Sequence, residues 1–201
     1  MKKLRYLALL FLCLCIWPSY LVAQSEADTD AFRAKLLATV YIQSCFLHAS
    51  EPAKVETVFA PGGKYSSPPM PDKNVRHFLR AGESGKGWVL RNLGAIVVLR
   101  ENGLCTLFIQ KIDSDIFLRE FFSEFHKWNH KIYEVGSPKL TRMGTPNELN
   151  TAVYPLKPIG ILRDGLDQRG VELSHLYEFV ISTTKREGAN FQVALSIANN
   201  F

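Results

Sequence analysis

"WVLRNLGAIVVLRENGLCTLFIQ", residues 88–110, contains three apolar, β-branched runs separated by turn signals. The runs cover 88–90, 95–99 and 104–109, and the separators are Asn92-Leu93-Gly94 and Asn102-Gly103. Asn-Gly between two strand-like runs is the strongest short hairpin signal, because both central positions of a type I′ turn require positive φ. The stretch therefore predicts an antiparallel meander of three strands.

The chain before the meander shows helical periodicity. A helix is expected from Thr29 or Asp30 to about Ser50, capped by one of the first two residues. Its buried face would comprise Phe32, Leu36, Leu37, Val40, Tyr41 and Leu47. Two shorter helices are expected at 52–60 and at about 72–81, the second ending at Gly82, with a proline-rich connector between them.

The chain after the meander predicts one long helix and more strands. The helix is "DSDIFLREFFSEFHKWN", residues 113–129, with Asp113 or Ser114 as its cap and an aromatic face. That face comprises Ile116, Phe117, Phe121, Phe125 and Trp128, widened by Phe122. The strands are expected at 131–135, 139–143, 151–156, 172–184 and 190–198. The fold class is α+β: a single domain with N-terminal helices, an antiparallel β-sheet built from a meander and a C-terminal hairpin, and one long aromatic-faced helix packed on the sheet.

The first 23 residues have the layout of a secretory signal peptide. Lys2, Lys3 and Arg5 precede an apolar run of eleven residues from Leu7 to Trp17. Cleavage is expected after Ala23, which leaves 24–201 as one exported domain, periplasmic or secreted, with no stable membrane span. The alternative is a retained N-terminal membrane anchor.

The positive charge of the whole chain comes largely from this leader. Loss of residues 1–23 lowers the Lys plus Arg count from 24 to 21, against 19 Asp plus Glu, and the net charge from +5 to +2. A balance so close to neutral gives no case for nucleic-acid binding.

Two of the four cysteines, Cys45 and Cys105, remain after cleavage. An exported chain with two cysteines most simply forms one disulfide, so we expect a Cys45–Cys105 bridge. The competing interpretation is a reactive thiol at Cys45 with His48 as its base.

"RAGESGKGW", residues 80–88, resembles the core of a phosphate-binding loop but lacks its essential positions. Arg80 stands where that loop needs its first glycine, and Gly87 stands where it needs the Mg²⁺-binding hydroxyl. The stretch also follows a predicted helix and precedes a strand, which is the reverse of the phosphate-loop order. Nucleotide binding is therefore not expected, and the sequence predicts no cofactor.

Other polar residues form weaker patterns. His126 and His130 have the i, i+4 spacing of a metal pair, although surface groups near a helix C-terminus are the favoured interpretation. His48, Asp72, His77 and Glu83 could supply acid–base chemistry, but no spacing connects them to a nucleophile. No catalytic residue is predicted.

Basic side chains concentrate between residues 73 and 100. Arg76, Arg80, Lys86, Arg91 and Arg100 form a possible patch for an anionic partner, such as a lipid headgroup or an acidic protein surface. The alternative is that they are the solvated faces of a helix and a hairpin.

Three motifs resemble an uncharacterised family of small exported proteobacterial proteins, some of them lipoproteins. They are "YIQSCFLHA" (41–49), "GWVLRNLGAIVVLRENGLCTLFIQ" (87–110) and "YEFVISTTKREGANFQVALSIAN" (177–199). The family carries no established activity, so the resemblance implies export and a cysteine pair and adds no catalytic residue. Leu12 before Cys13 and Leu14 before Cys15 leave no acylatable cysteine, which departs from its lipoprotein members.

These observations favour a non-enzymatic binding module of the bacterial envelope. Its partner would be an envelope protein or another envelope component, contacted through sheet edges or the basic hairpin region. The alternative is a small envelope hydrolase with a histidine or carboxylate site that sequence alone does not bring together.

Overall fold

A computed structural model describes residues 28–49, 51–129, 132–142, 145, 148–160, 163–164 and 177–198. Within these residues the chain has the expected α+β architecture. The helices are α1 (28–41), α2 (Pro52–Phe59), α3 (Asp72–Val75) and α4 (Ser114–Asn129). The strands are β1 (Gly85–Leu90), β2 (Ala95–Arg100), β3 (Cys105–Ile109), β4 (Tyr133–Val135), β5 (Lys139–Arg142), β6 (Asn150–Pro158), β7 (Tyr177–Thr183) and β8 (Val193–Ala198).

The described strands form one antiparallel sheet in the order β1-β2-β3-β8-β7-β6-β4, with β5 also paired to β6. The meander and the C-terminal hairpin are both present. The hairpin joins the meander because β8 pairs with β3, so the last strand of the chain lies in the middle of the sheet. Helix α4 connects β3 to β4 at the opposite edge.

The turn between β2 and β3 differs from the expected type I′ turn. Gly103 has a φ of +84°, whereas Asn102 is not among the described residues with positive φ. The Gly103 N–H donates to the Arg100 carbonyl (2.9 Å), and the Arg100 N–H donates to the Leu104 carbonyl (2.9 Å). This is a three-residue loop in which a type I turn is followed by a left-handed glycine, the next most common hairpin connection.

Helix α4 packs its aromatic face on the sheet, as predicted. Asp113 is its cap, since Asp113 Oδ1 accepts the N–H groups of residues 115 and 116 at 2.8 and 3.0 Å. Phe121 and Phe125 stack on Phe179 of β7 with ring centroids 5.3 and 5.6 Å apart. Burying an aromatic side chain of this size contributes about 1.5–3 kcal/mol, so this layer supplies much of the hydrophobic stabilisation.

The buried face of α1 matches the predicted one only in part, because Leu37, Val40 and Tyr41 are buried as expected but Phe32 and Leu36 are not. Phe32 and Leu36 are 65% and 38% exposed, and the stripe that faces the core is Ala34, Leu37, Ala38 and Tyr41. The prediction followed the larger apolar side chains, whereas the two alanines let the helix approach its neighbours closely. The helix already includes residue 28, so Thr29 and Asp30 lie inside it, and it continues into a π-helical turn, Ile42–Phe46.

The other face of the meander is covered by α3 and the turn that follows it. The expected helix to residue 81 ends earlier, because α3 passes into a 3₁₀ turn (Arg76–Phe78) that stops at Leu79. Phe78 contacts Phe108 and Phe191 with ring centroids 5.1 and 5.7 Å apart. These rings form a small apolar cluster opposite the main core.

The remaining strands begin and end within a few residues of the predicted positions. Strand β6 is longer than expected, β4 begins two residues later and β8 three residues later than expected, and β7 ends one residue earlier, at Thr183. Residues 172–176, predicted as the start of a long strand, lie outside the described residues.

Candidate functional site

A pocket of about 400 Å³ surrounds the start of β1. Glu56 of α2 forms one wall, Arg76 and Leu79 form another, and Arg100 closes the end nearest the β2–β3 turn. Lys86 and Glu56 lie on the sheet face that carries the aromatic core, and Arg100 and α3 lie on the opposite face. The pocket therefore wraps around the outer edge of β1 at Gly85, between two layers of helix.

Gly85 is required there by close packing. A Cβ at this position would lie 2.5 Å from the Leu99 carbonyl oxygen and 3.3 Å from Leu79 Cδ2. The stretch "RAGESGKGW" thus contains a turn at Gly82 (φ +82°) and then a strand, and it opens no helix. The glycine at position 85 therefore serves close packing against the Leu99 carbonyl of β2 and the Leu79 side chain.

The backbone of β1 presents alternate residues to the outer side. The Glu101 N–H donates to the Ser84 carbonyl (3.1 Å), so Ser84, Lys86 and Trp88 direct their backbone groups toward β2. Gly85, Gly87 and Val89 consequently direct theirs away from it. This outer row is one edge of the sheet that the described strands form.

Part of this edge is already covered by the proline-rich connector. The Met70 N–H donates to the Gly87 carbonyl (2.7 Å), and Ser67 Oγ donates to the Val89 carbonyl (2.9 Å). Pro69 forms an antiparallel bridge with Trp88. Nothing in the described part of the chain hydrogen-bonds to the outward N–H and C=O of Gly85, which face the pocket.

Arg100 and Glu83 form the less exposed of the two ion pairs in the pocket lining. The Arg100 guanidinium lies 3.1 Å from Glu83 Oε2 and donates to the Phe78 carbonyl (3.2 Å). Glu83 Oε2 also accepts the Arg80 N–H at 2.8 Å. Their side chains are 16% and 25% exposed, so the pair is partly shielded from water and holds residues 78–83 against the end of β2.

Lys86 and Glu56 form a second pair across the pocket, with Nζ and Oε2 2.5 Å apart. Both side chains are exposed, so the pair contributes about 0–1 kcal/mol to stability. Its structural effect is to connect α2 to the start of β1.

The structure brings three members of the predicted basic patch together at the pocket, places Arg80 beside it and separates Arg91 from it. Arg76, Lys86 and Arg100 line the pocket, Arg80 lines an adjoining cavity, and Arg91 lies at the far end of β1. Four carboxylates line the same pocket: Glu56, Asp72, Glu83 and Glu101. Glu83 lies within the basic stretch of residues 73–100, whereas Glu56, Asp72 and Glu101 lie outside it and were not predicted as neighbours of the patch.

Cys45 and Cys105 lie where the prediction required. Their sulfurs are 2.01 Å apart, at the separation of a disulfide bond, and both residues are fully buried. Cys45 lies in the π-helical turn and Cys105 opens β3, so a bond between them connects the helical layer to the sheet.

The histidines that the structure describes, His48, His77 and His126, do not form a common site. His126 is exposed on the last turn of α4, and His130 lies outside the described residues. Within the described part of the chain no three His, Cys, Asp or Glu side chains form a group that could hold a metal ion. Asp72 and Glu83 line the pocket, whereas His48 and His77 do not.

Burial shifts the pKa of several groups outside the pocket, among them His48 and Tyr41. Burial, and secondarily the charge of Lys54, lowers the pKa of the His48 imidazole, while Glu51 acts in the opposite direction. Burial, with a contribution from Tyr133, raises the pKa of the Tyr41 phenol well above its usual value. The Tyr41 hydroxyl is buried without a hydrogen-bond partner among the described residues. Both lie in or beside the core, so neither contributes to the pocket.

Comparisons with protein families, with curated proteins and with solved structures found no match to this chain. Among the residues that the structure describes, none of the helices combines the length and apolarity that a bilayer crossing needs.

Proposed function

We propose that the chain is an exported, non-enzymatic binding module of the bacterial envelope, and that it binds its partner at the pocket around Gly85. The observation that carries the proposal is the pocket itself, a charged recess at a sheet edge where the outward N–H and C=O of Gly85 have no hydrogen-bond partner among the described residues. Concave sites with a few convergent polar groups are the usual places for ligands.

Export is supported by the leader pattern and by the cysteine pair. Disulfides persist in oxidising compartments, and the two sulfurs lie at bonding distance in the buried core. The partner would be an envelope protein or another envelope component.

The pairing of the charged side chains in the pocket lining favours binding over catalysis. Lys86 is paired with Glu56, and Arg100 is paired with Glu83. Ser84 supplies a hydroxyl to the described lining, which contains no histidine that could activate it. A hydrolase would need a nucleophile and its base within hydrogen-bond reach.

The proposal is tested by photo-crosslinking in cells that export the full chain. A photoreactive residue replaces Arg76 at the pocket or, as a matched control, Arg91 at the other end of β1. Both positions are exposed and lie in 3₁₀ turns. We expect envelope adducts from position 76 and few from position 91. Equal labelling, no labelling, or turnover of ester, peptide or glycoside substrates by the purified protein would contradict the proposal.

A further inference from the structure

We propose that the pocket takes an extended polypeptide segment of the partner, which adds to the sheet as a short antiparallel strand at Gly85. The inference rests on the proposed function and specifies how the binding occurs. Strand addition to an exposed sheet edge is a recurring mode of peptide recognition, in which main-chain hydrogen bonds supply affinity.

The chain itself shows the geometry of such a strand. Its connector pairs with β1 antiparallel, with Pro69 opposite Trp88 and the Met70 N–H on the Gly87 carbonyl. If this register continued, residue 72 would stand opposite Gly85. Instead the connector turns away at Pro71, and Asp72 begins α3.

Gly85 is therefore the next hydrogen-bonding position on an edge that is occupied as far as Gly87. An antiparallel strand rises about 3.4 Å per residue, so Gly85 lies about 7 Å further along the edge. A peptide residue at this position would accept the Gly85 N–H and donate to the Gly85 carbonyl. The peptide would extend the series of hydrogen bonds that the connector makes with the outer edge of β1, and the connector would stay in place.

The pocket walls determine where the peptide side chains would go. Directly opposed residues of an antiparallel pair point to the same face, so the side chain opposite Gly85 would lie beside Leu79 and Arg76. Its two neighbours would point to the other face, beside the Lys86–Glu56 pair. The peptide would thus contact both faces of the sheet, as the lining of the pocket does.

The charges that line the pocket do not determine which peptide binds. Three basic side chains and four acidic ones line the pocket, and two ion pairs already involve four of them. A strongly anionic partner would meet the carboxylates as well as the arginines. We therefore assign recognition to the backbone, and we expect the affinity to change less than about threefold between 0.05 and 0.5 M NaCl.

The probe is a random 12-residue peptide library displayed on phage and selected against the oxidised full chain. We expect enriched peptides to shift the Gly85 amide resonance and to slow its hydrogen exchange. Methylating the peptide nitrogen that donates to Gly85 should weaken binding about tenfold, whereas methylating its two neighbours should have little effect. Arg76→Trp should fill the recess and weaken binding by a similar factor. The matched Arg91→Trp variant should bind as the wild type does.

The proposal is overturned if no peptide is enriched or if the enriched peptides leave Gly85 unprotected. It is also overturned if methylation at every nitrogen has the same effect, or if anionic lipid vesicles compete with the peptides at Gly85. Envelope adducts at position 76 combined with any of these results would contradict strand addition and leave the binding module intact. Peptide binding without envelope adducts would contradict the envelope role instead.

Discussion

Removing the Cys45–Cys105 bond should lower the free energy of unfolding by about 4 kcal/mol. The two residues are 60 positions apart, and the loss of loop-closure entropy in the unfolded chain at that separation is about 4 kcal/mol in the chain-entropy model. In a domain of this size that corresponds to a fall in Tm of roughly 8–16 °C.

The assay compares urea unfolding of the oxidised wild type with Cys45→Ala, Cys105→Ala and the double variant. The free energy of unfolding should fall nearly as much in each single variant as in the double variant, because either substitution breaks the same bond. Dithiothreitol should destabilise the wild type and leave the double variant unchanged, which separates the bond from the loss of side-chain volume. A difference below about 1 kcal/mol between wild type and double variant would refute the reasoning. Two alkylatable thiols in the protein recovered from the periplasm would refute it as well.

Three further substitutions test separate parts of the structure. Tyr41→Phe should raise the free energy of unfolding by about 1 kcal/mol, because it deletes a buried hydroxyl that has no hydrogen-bond partner among the described residues. A variant that is less stable than the wild type in urea unfolding would show that this hydroxyl is hydrogen-bonded. Gly82→Ala should lower the free energy of unfolding by about 1 kcal/mol, because Gly82 has a positive φ but open space around it. Gly85→Ala should lower it at least twice as much, because the new Cβ would lie 2.5 Å from the Leu99 carbonyl oxygen. Equal losses for the two variants would disprove the packing argument. His48→Asn should weaken the pH dependence of stability. The folded pKa of His48 is lowered, so the unfolded chain binds more protons, and stability present above pH about 6.5 is lost as the pH falls below it. The measurement is the change in the urea midpoint between pH 7.5 and pH 5. An equal change in the variant and in the wild type would contradict the role of His48.

The parts of the fold that follow from local periodicity were predictable. Helix α4 combines a side-chain cap at Asp113 with aromatic residues three and four positions apart, and both features act within a few residues of chain. The meander likewise combines apolar runs with short turns. Even in the meander, the turn type at Asn102-Gly103 was not predicted. The two strands are joined by a three-residue loop, which needs one positive φ, at Gly103, instead of the two of a type I′ turn.

The features that depend on distant contacts were not predictable. Periodicity alone does not show that β8 pairs with β3, since any strand of the right length could lie there. The face of α1 was misassigned because small residues such as Ala34 and Ala38 carry a weak hydrophobic signal but allow close packing. The basic patch looked more positive than the pocket is, because Glu83 is the one carboxylate of the lining within residues 73–100, whereas Glu56, Asp72 and Glu101 lie outside that stretch.

The predicted cysteine pair and the unpredicted pocket are connected through the sheet. Cys105 stands opposite Leu99 in the β2–β3 register, and Leu99 stands opposite Lys86 in the β1–β2 register. Two cross-strand pairs therefore separate the Cys105 backbone from the residue next to Gly85. A bond to Cys45 anchors that row of the sheet to the helical layer. Preorganisation lowers the ordering cost of binding, so under the proposed strand addition the bond would preorganise the edge at Gly85 as well as stabilise the fold.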